Sequence, residues 1–79
     1  MKAALHAKLN TATNLREKAQ RAAACGNHAQ AAEGFLRAGK LFWDAGERLA
    51  AEHSWRRACD NCRPEAERIF RATQKRNLN

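Results

Sequence analysis

The chain has 79 residues, a length that suits one small domain with a core of three or four helices. Tyrosine is absent, Pro64 is the only proline and alanine supplies much of the apolar content, so the composition favours an all-α fold. Fifteen Lys and Arg against eight Asp and Glu leave a formal net charge of +7. Such a charge suits an acidic partner, either nucleic acid or an acidic protein surface.

The sequence lacks the signals of a membrane or secreted protein. No apolar run approaches about 18 residues, the length at which a membrane span becomes plausible. The first residues are interrupted by His6 and Lys8 before a signal-peptide core forms, and we expect a cytoplasmic protein without a membrane span. Cysteines stay reduced in that compartment, which argues against a disulfide framework for the three present here.

The first predicted helix covers residues 3–24. Apolar residues return along it at steps of four and three, which places them on one face: Leu5, Leu9, Ala12, Leu15, Ala19 and Ala22. Asn14 followed by Glu17 is also typical of a capping pair, which would split this helix in two. We favour one helix that ends at Gly26, because glycine readily takes the left-handed conformation found at helix ends.

The second predicted helix, residues 29–45, has two apolar stripes. One consists of Ala31, Phe35, Ala38 and Phe42. The other, called the apolar strip below, consists of Ala32, Leu36, Gly39 and Trp43. A face this wide is expected of a helix that is covered on two sides. Either the first and third helices both pack on it, or the side with Leu36 and Trp43 receives a partner chain. Gly39 is expected to permit close approach of another helix.

Two further helices are predicted, at residues 47–60 and 64–75. Pro64 separates them, because proline lacks the amide proton and suits the first turn of a new helix. The last helix is expected to carry apolar residues on one side, namely Ala66, Ile69, Phe70 and Thr73. The sequence thus predicts a single all-α domain over residues 1–79, a small antiparallel bundle of three or four helices. Its aromatic core residues Phe35, Phe42 and Trp55 are predicted to be mutually buried.

One pattern occurs twice, twenty residues apart. Gly26, Ala31, Phe35 and Ala38 recur as Gly46, Ala51, Trp55 and Ala58. This spacing resembles the turn and second helix of a tetratricopeptide hairpin. Because the second helix serves both copies, the arrangement is more similar to longer-helix relatives of that fold, such as the SNAP adaptors. The resemblance covers residues 15–64 and implies helical hairpins, without implying a function.

A second similarity is to small bacterial regulators of the PerC and AraC-negative-regulator families. Those proteins share a glycine turn, an Ala-Ala pair, an aromatic residue, and then Trp, Arg-Ala and Cys. The corresponding residues here are Gly26, Ala31, Ala32, Phe35, Trp55, Arg57, Ala58 and Cys62. This similarity implies a regulator that acts by binding other proteins or DNA.

Two short motifs have the spacing of metal ligands. Residues 24–28 and 58–62 share the form Ala-Cys-x-Asn followed by His or Cys. Thiolate and imidazole pairs two residues apart hold two corners of a tetrahedral zinc. Because the second and third helices run in opposite directions over similar lengths, both motifs are predicted to lie at one end of the bundle. The candidate ligands of a structural zinc are Cys25, His28, Cys59 and Cys62.

The same four residues also have an explanation without a metal. The segment 26–28 is explained as a turn between helices, Cys25 and Cys59 as small buried residues, and Cys62 as part of the core stripe. A redox role for the Cys-x-x-Cys pair is disfavoured, because no strand-rich unit is predicted around it.

Two classes of function remain open. The first is a helical protein–protein interaction module or regulator that binds a partner protein, or a second copy of itself, through Leu36, Gly39 and Trp43. The alternative is a basic protein that binds DNA or RNA in transcriptional regulation. Its binding residues would be Arg56, Arg57, Arg63, Arg68, Arg71, Lys75 and Arg76. An enzyme is not predicted, because the sequence offers neither a convergent nucleophile and base nor a phosphate-binding glycine loop.

Overall fold

The computed structural model describes the backbone of residues 2–78 and the side chains of residues 5–72. Three helices follow one another: α1 (Lys2–Ala24), α2 (His28–Asp44) and α3 (Arg48–Leu78). The described part of the chain contains no strand, which confirms the predicted all-α class. α1 is continuous through Asn14, so the capping pair there does not divide it. The predicted core position of Thr73 lies outside the described side chains.

α3 is bent at Cys62, where the backbone leaves the helical conformation (φ −156°, ψ 92°). Pro64 explains the bend. Proline has no N–H for the carbonyl of Asp60, and its ring would collide with that carbonyl in a continuous helix. The bend divides α3 into a first segment before Cys62 and a second segment after it. The third and fourth predicted helices, residues 47–60 and 64–75, lie on either side of this point.

The two turns between helices have the same conformation. Gly26 and Gly46 both have φ +84°, which glycine adopts without the steric cost that a side chain brings. In each turn, the amide after the glycine donates a hydrogen bond of 2.8 Å to the carbonyl oxygen five residues earlier. These bonds satisfy carbonyl groups that a helix end leaves open. The twenty-residue repeat therefore appears in the structure as two equivalent helix ends.

α2 is the central helix. Both α1 and α3 pack on it, whereas α1 and α3 scarcely touch each other. The molecule is accordingly a flat layer with extents of 37 × 33 × 16 Å. The wide apolar face of α2 is thus covered from two sides, the first of the two arrangements that its width allows.

The core is divided into two clusters along α2. Phe35 and Leu36 belong to one cluster and Phe42 to the other, while Trp55 of α3 is partly exposed and packs against both. The prediction that Phe35, Phe42 and Trp55 are mutually buried is therefore wrong in one respect, since the two phenylalanines are separated and the tryptophan bridges them. In the described part of the chain, the remaining buried apolar side chains are all alanines. Such small side chains let helices approach closely.

Ser54 is a buried residue that the sequence analysis did not identify. Its hydroxyl donates a hydrogen bond of 2.6 Å to the carbonyl oxygen of Phe35. A buried hydroxyl needs such a partner, because removal from water is otherwise costly. Ser54 lies three residues after Ala51 and four before Ala58. Helical spacing alone would have placed it on the face of α3 that packs on α2.

Gly39 allows a close approach of α3 to α2. A methyl group added at Gly39 would lie 2.4 Å from Nε1 and 2.5 Å from Cδ1 of Trp55, well inside van der Waals contact. The same methyl group would lie 3.2 Å from the carbonyl oxygen of Ala51. The indole ring therefore rests directly on the backbone of α2, and the expected role of Gly39 is confirmed.

We predict that Gly39→Ala lowers the free energy of unfolding by about 1–3 kcal/mol, the range found for overpacked cores. Helix propensity alone predicts the opposite sign, since alanine is favoured over glycine by about 1 kcal/mol inside a helix. Urea denaturation followed by circular dichroism measures the change. In a Trp55→Phe background the loss should shrink, because phenylalanine lacks the five-membered ring that the methyl group meets. A Gly39→Ala variant that is more stable than wild type would contradict this packing.

Candidate functional site

Most of the apolar strip of α2 is covered by α3. Leu36 is buried in a cluster that includes Ala66 of the second segment of α3, and Gly39 is buried beneath Trp55. Trp43 is the exposed member of the strip, with 43% of its surface accessible. Of the predicted partner-binding residues, Leu36 and Gly39 thus serve the contact between α2 and α3, and Trp43 is open to a partner.

Trp43 is held by two side chains of α3. Its ring centroid lies 5.6 Å from that of Trp55, with the planes inclined at 33°. The guanidinium carbon of Arg48 lies 5.1 Å from the centroid of the Trp43 ring. Both distances suit attractive aromatic and cation–π contacts. The exposed indole is therefore fixed on a pair of packed helices.

The two cysteine motifs lie at the same end of the molecule, as the helix lengths predict. His28 Nδ1 and Asn61 Oδ1 are 3.3 Å apart, which joins the start of α2 to the end of the first segment of α3. The Asn61 amide also donates a hydrogen bond of 2.9 Å to the carbonyl oxygen of Arg57. The asparagine of the second motif, rather than one of its cysteines, meets the histidine of the first.

The four candidate zinc ligands have different surroundings. Cys25, His28 and Cys59 are exposed, whereas Cys62 is partly buried against the cluster around Phe35. Among the described side chains, no three from His, Cys, Asp and Glu come together at a position suited to a metal ion. A structural zinc held by these residues stays a prediction.

Serine substitutions distinguish core packing from metal binding. We predict that Cys62→Ser lowers the free energy of unfolding by about 1 kcal/mol, because a partly buried thiol is replaced by a hydroxyl. Cys25→Ser and Cys59→Ser, at exposed positions, should change it by less than about 0.5 kcal/mol. Thermal melts with and without a chelator measure these effects. A zinc site would give a different pattern, in which all three substitutions and the chelator are destabilising.

Two arginines proposed for nucleic-acid binding have carboxylate partners in the second segment of α3. Arg63 Nε lies 3.8 Å from Glu67 Oε1. Arg68 donates hydrogen bonds to Glu65, one of them of 3.3 Å from Nε to Oε2. This hydrogen bonding lowers the pKa of Glu65 and raises the pKa of Arg68. Phosphate groups would have to compete with these carboxylates.

The other basic residues of that alternative are dispersed. Arg57 lies over the ring of Phe35 at 5.0 Å from its centroid. Arg56 and Arg71 are exposed. The side chains of Lys75 and Arg76 lie outside the described residues. The structure thus describes the side chains of only part of the basic residues predicted to bind nucleic acid. These lie on two segments of α3 that the bend at Cys62 separates.

A groove between α1 and the first segment of α3 was missed by the sequence analysis. Its volume is about 550 Å³. Arg16 lies over the Phe42 ring, 5.2 Å from its centroid, and Arg57 lies over the Phe35 ring, so two of the groove residues cover buried rings of α2. The residues that define this α1/α3 groove are Arg16, Glu17, Gln20, Leu49, Ala50, His53, Ser54 and Arg57. The sequence feature that could have indicated this groove is an arginine next to the apolar stripe of each helix. Arg16 follows Leu15, and Arg57 precedes Ala58.

Comparison with models of protein families, with curated proteins and with solved structures found no match for this chain. The tetratricopeptide, SNAP and PerC similarities therefore stay resemblances of sequence pattern. None of the helices in the described residues combines the length and the apolar character needed to cross a membrane. The function has to be argued from the geometry of the side chains.

Proposed function

We propose that this protein is a small helical interaction module that binds a partner protein, with Trp43 at the centre of the contact surface. The observation that supports this proposal is an exposed indole held in place by Trp55 and Arg48. Binding through a side chain that is already ordered loses little conformational entropy. Tryptophan is also among the residues that dominate the binding energy of protein interfaces.

The charge of the chain favours an acidic partner over a second copy. A formal net charge of +7 on 79 residues repels a like molecule and speeds encounter with an acidic one. Arg48 and the exposed Lys40, one helical turn before Trp43, add positive charge at the edge of the Trp43 surface. A regulator that acts by holding another protein is consistent with this surface.

Nucleic-acid binding is the second candidate and is supported by the net charge. The pairing of Arg63 with Glu67 and of Arg68 with Glu65 weighs against it, since phosphate groups would compete with both carboxylates. Binding that depends on phosphate contacts also weakens steeply as salt is raised. Salt dependence therefore separates this candidate from a contact centred on an indole.

We predict that Trp43→Ala weakens partner binding by at least about 2 kcal/mol, as expected for a central aromatic anchor, and leaves the helical signal nearly unchanged. Phe70→Ala is the matched control. It removes an aromatic side chain of similar exposure, 50% against 43%, from the second segment of α3. Quantitative affinity capture from an extract of the source cells compares wild type with both variants.

Loss of a captured protein with Trp43→Ala, together with its retention by Phe70→Ala, is the expected result. Equal capture by wild type and Trp43→Ala would exclude the Trp43 surface. If capture instead requires nucleic acid, falls steeply with salt and is lost on reversal of Arg56 and Arg57 to glutamate, the second candidate takes its place.

A further inference from the structure

We propose that the α1/α3 groove binds an acidic peptide segment of a partner protein, a segment that also carries an apolar side chain. This site is separate from the Trp43 surface. Ser54 and Arg57 line the groove, whereas Trp55 contacts Trp43. Around the axis of α3, Trp55 is rotated by about 100° from Ser54 and by about 200° from Arg57, so it lies on a different face of the helix. The inference therefore does not depend on the function proposed above.

The groove has a size suited to a peptide segment. Its volume of about 550 Å³ falls within the range of about 300–1,000 Å³ typical of ligand sites. α1 and α3 form its walls, and Phe35 and Phe42 of α2 lie buried beneath the guanidinium groups. Because α1 and α3 both pack on α2, the two walls are held by the packing of the core.

Arg16 and Arg57 provide the recognition of acidic side chains. Each guanidinium lies over a phenylalanine ring, which is not a hydrogen-bond acceptor for the N–H groups in the way that a carboxylate is. Among the described side chains, neither arginine forms an ion pair, whereas Arg37, Arg63 and Arg68 each pair with a glutamate. The two groove arginines are therefore available to carboxylates of a bound chain, which match their fork geometry.

Leu49 provides the apolar part of the site. It lines the groove and is 83% exposed. Ala51, two residues later on the same helix, is buried against α2. An apolar side chain of a bound segment would remove Leu49 from water at the same time as its acidic neighbours reach the arginines. The combination of a leucine with two ordered cations therefore selects a segment of mixed acidic and apolar character.

The groove suits a peptide better than a nucleic acid strand. Single-stranded nucleic acids are held by aromatic rings on which bases stack. Phe35 and Phe42 are buried and covered by arginines, so their rings are not available for stacking. Glu17, which also lines the groove, can accept hydrogen bonds from the amides of a bound peptide.

The test uses a fluorescein-labelled peptide in which glutamates alternate with leucines and both termini are blocked. Fluorescence anisotropy at physiological salt measures its binding to the full chain. A second peptide with glutamine in place of glutamate serves as the ligand control. We expect the glutamate peptide to bind at least about tenfold more tightly, the difference that one charge-assisted hydrogen bond supplies.

Two double variants separate the groove from the overall charge. Arg16→Gln/Arg57→Gln removes both groove cations, whereas Arg21→Gln/Arg56→Gln removes two exposed arginines of the same helices that do not line the groove. Both lower the net charge equally. We expect about 100-fold weaker binding for the groove variant and less than about threefold for its control. Trp43→Ala should bind the peptide as wild type does.

A further variant guards against loss of folding. Leu49→Asp changes an exposed side chain and places a negative charge in the groove, so we expect it to abolish peptide binding with an unchanged circular dichroism spectrum. Equal weakening by both double variants would overturn the proposal and leave only a diffuse charge effect. The proposal would also be overturned if wild type did not prefer the glutamate peptide. The same holds if single-stranded DNA displaced the peptide from the protein and this displacement required Arg16 and Arg57.

Discussion

The contact between Trp55 and Gly39 determines how α3 lies on α2. Because no side chain separates them, the indole reaches the backbone of α2 and packs against both core clusters. Trp55 also packs against Trp43, the residue at the centre of the proposed partner-binding surface. The wall that α3 contributes to the α1/α3 groove has its position for the same reason. Both candidate sites thus include residues of the helix that packs on α2 at Gly39.

Arginine side chains cover aromatic rings at the surface of this protein. The buried side chains of the described residues are mostly alanines, with Phe35, Leu36 and Phe42 as the large ones. Arg16 and Arg57 lie over the two phenylalanine rings and Arg48 over Trp43. Their alkyl stems and planar groups cover apolar surface while their charge stays available for a ligand. A small alanine-rich core gains further stability when a partner binds the folded state.

The sequence predicted the local features of the fold because these depend on neighbouring residues. Helical spacing predicts the helices, glycine predicts both turns, and Pro64 predicts the break in the last helix. Covering of part of the apolar strip was among the alternatives, but the pattern did not decide which residues are covered. Burial of Leu36 with exposure of Trp43 depends on the direction that the chain takes after Cys62. The α1/α3 groove joins residues from two helices that are distant in the sequence, so no local pattern describes it. The zinc ligands and the partner-binding role of Trp43 stay predictions.

Nuclear magnetic resonance of the isotope-labelled protein tests the seating of Trp55 on Gly39 most directly. The contact predicts nuclear Overhauser effects from the indole Hδ1 and Hε1 of Trp55 to the Hα protons of Gly39, which the ring current should shift away from their usual position. A Trp55 indole that shows no such effect to Gly39 would contradict this seating of α3 on α2.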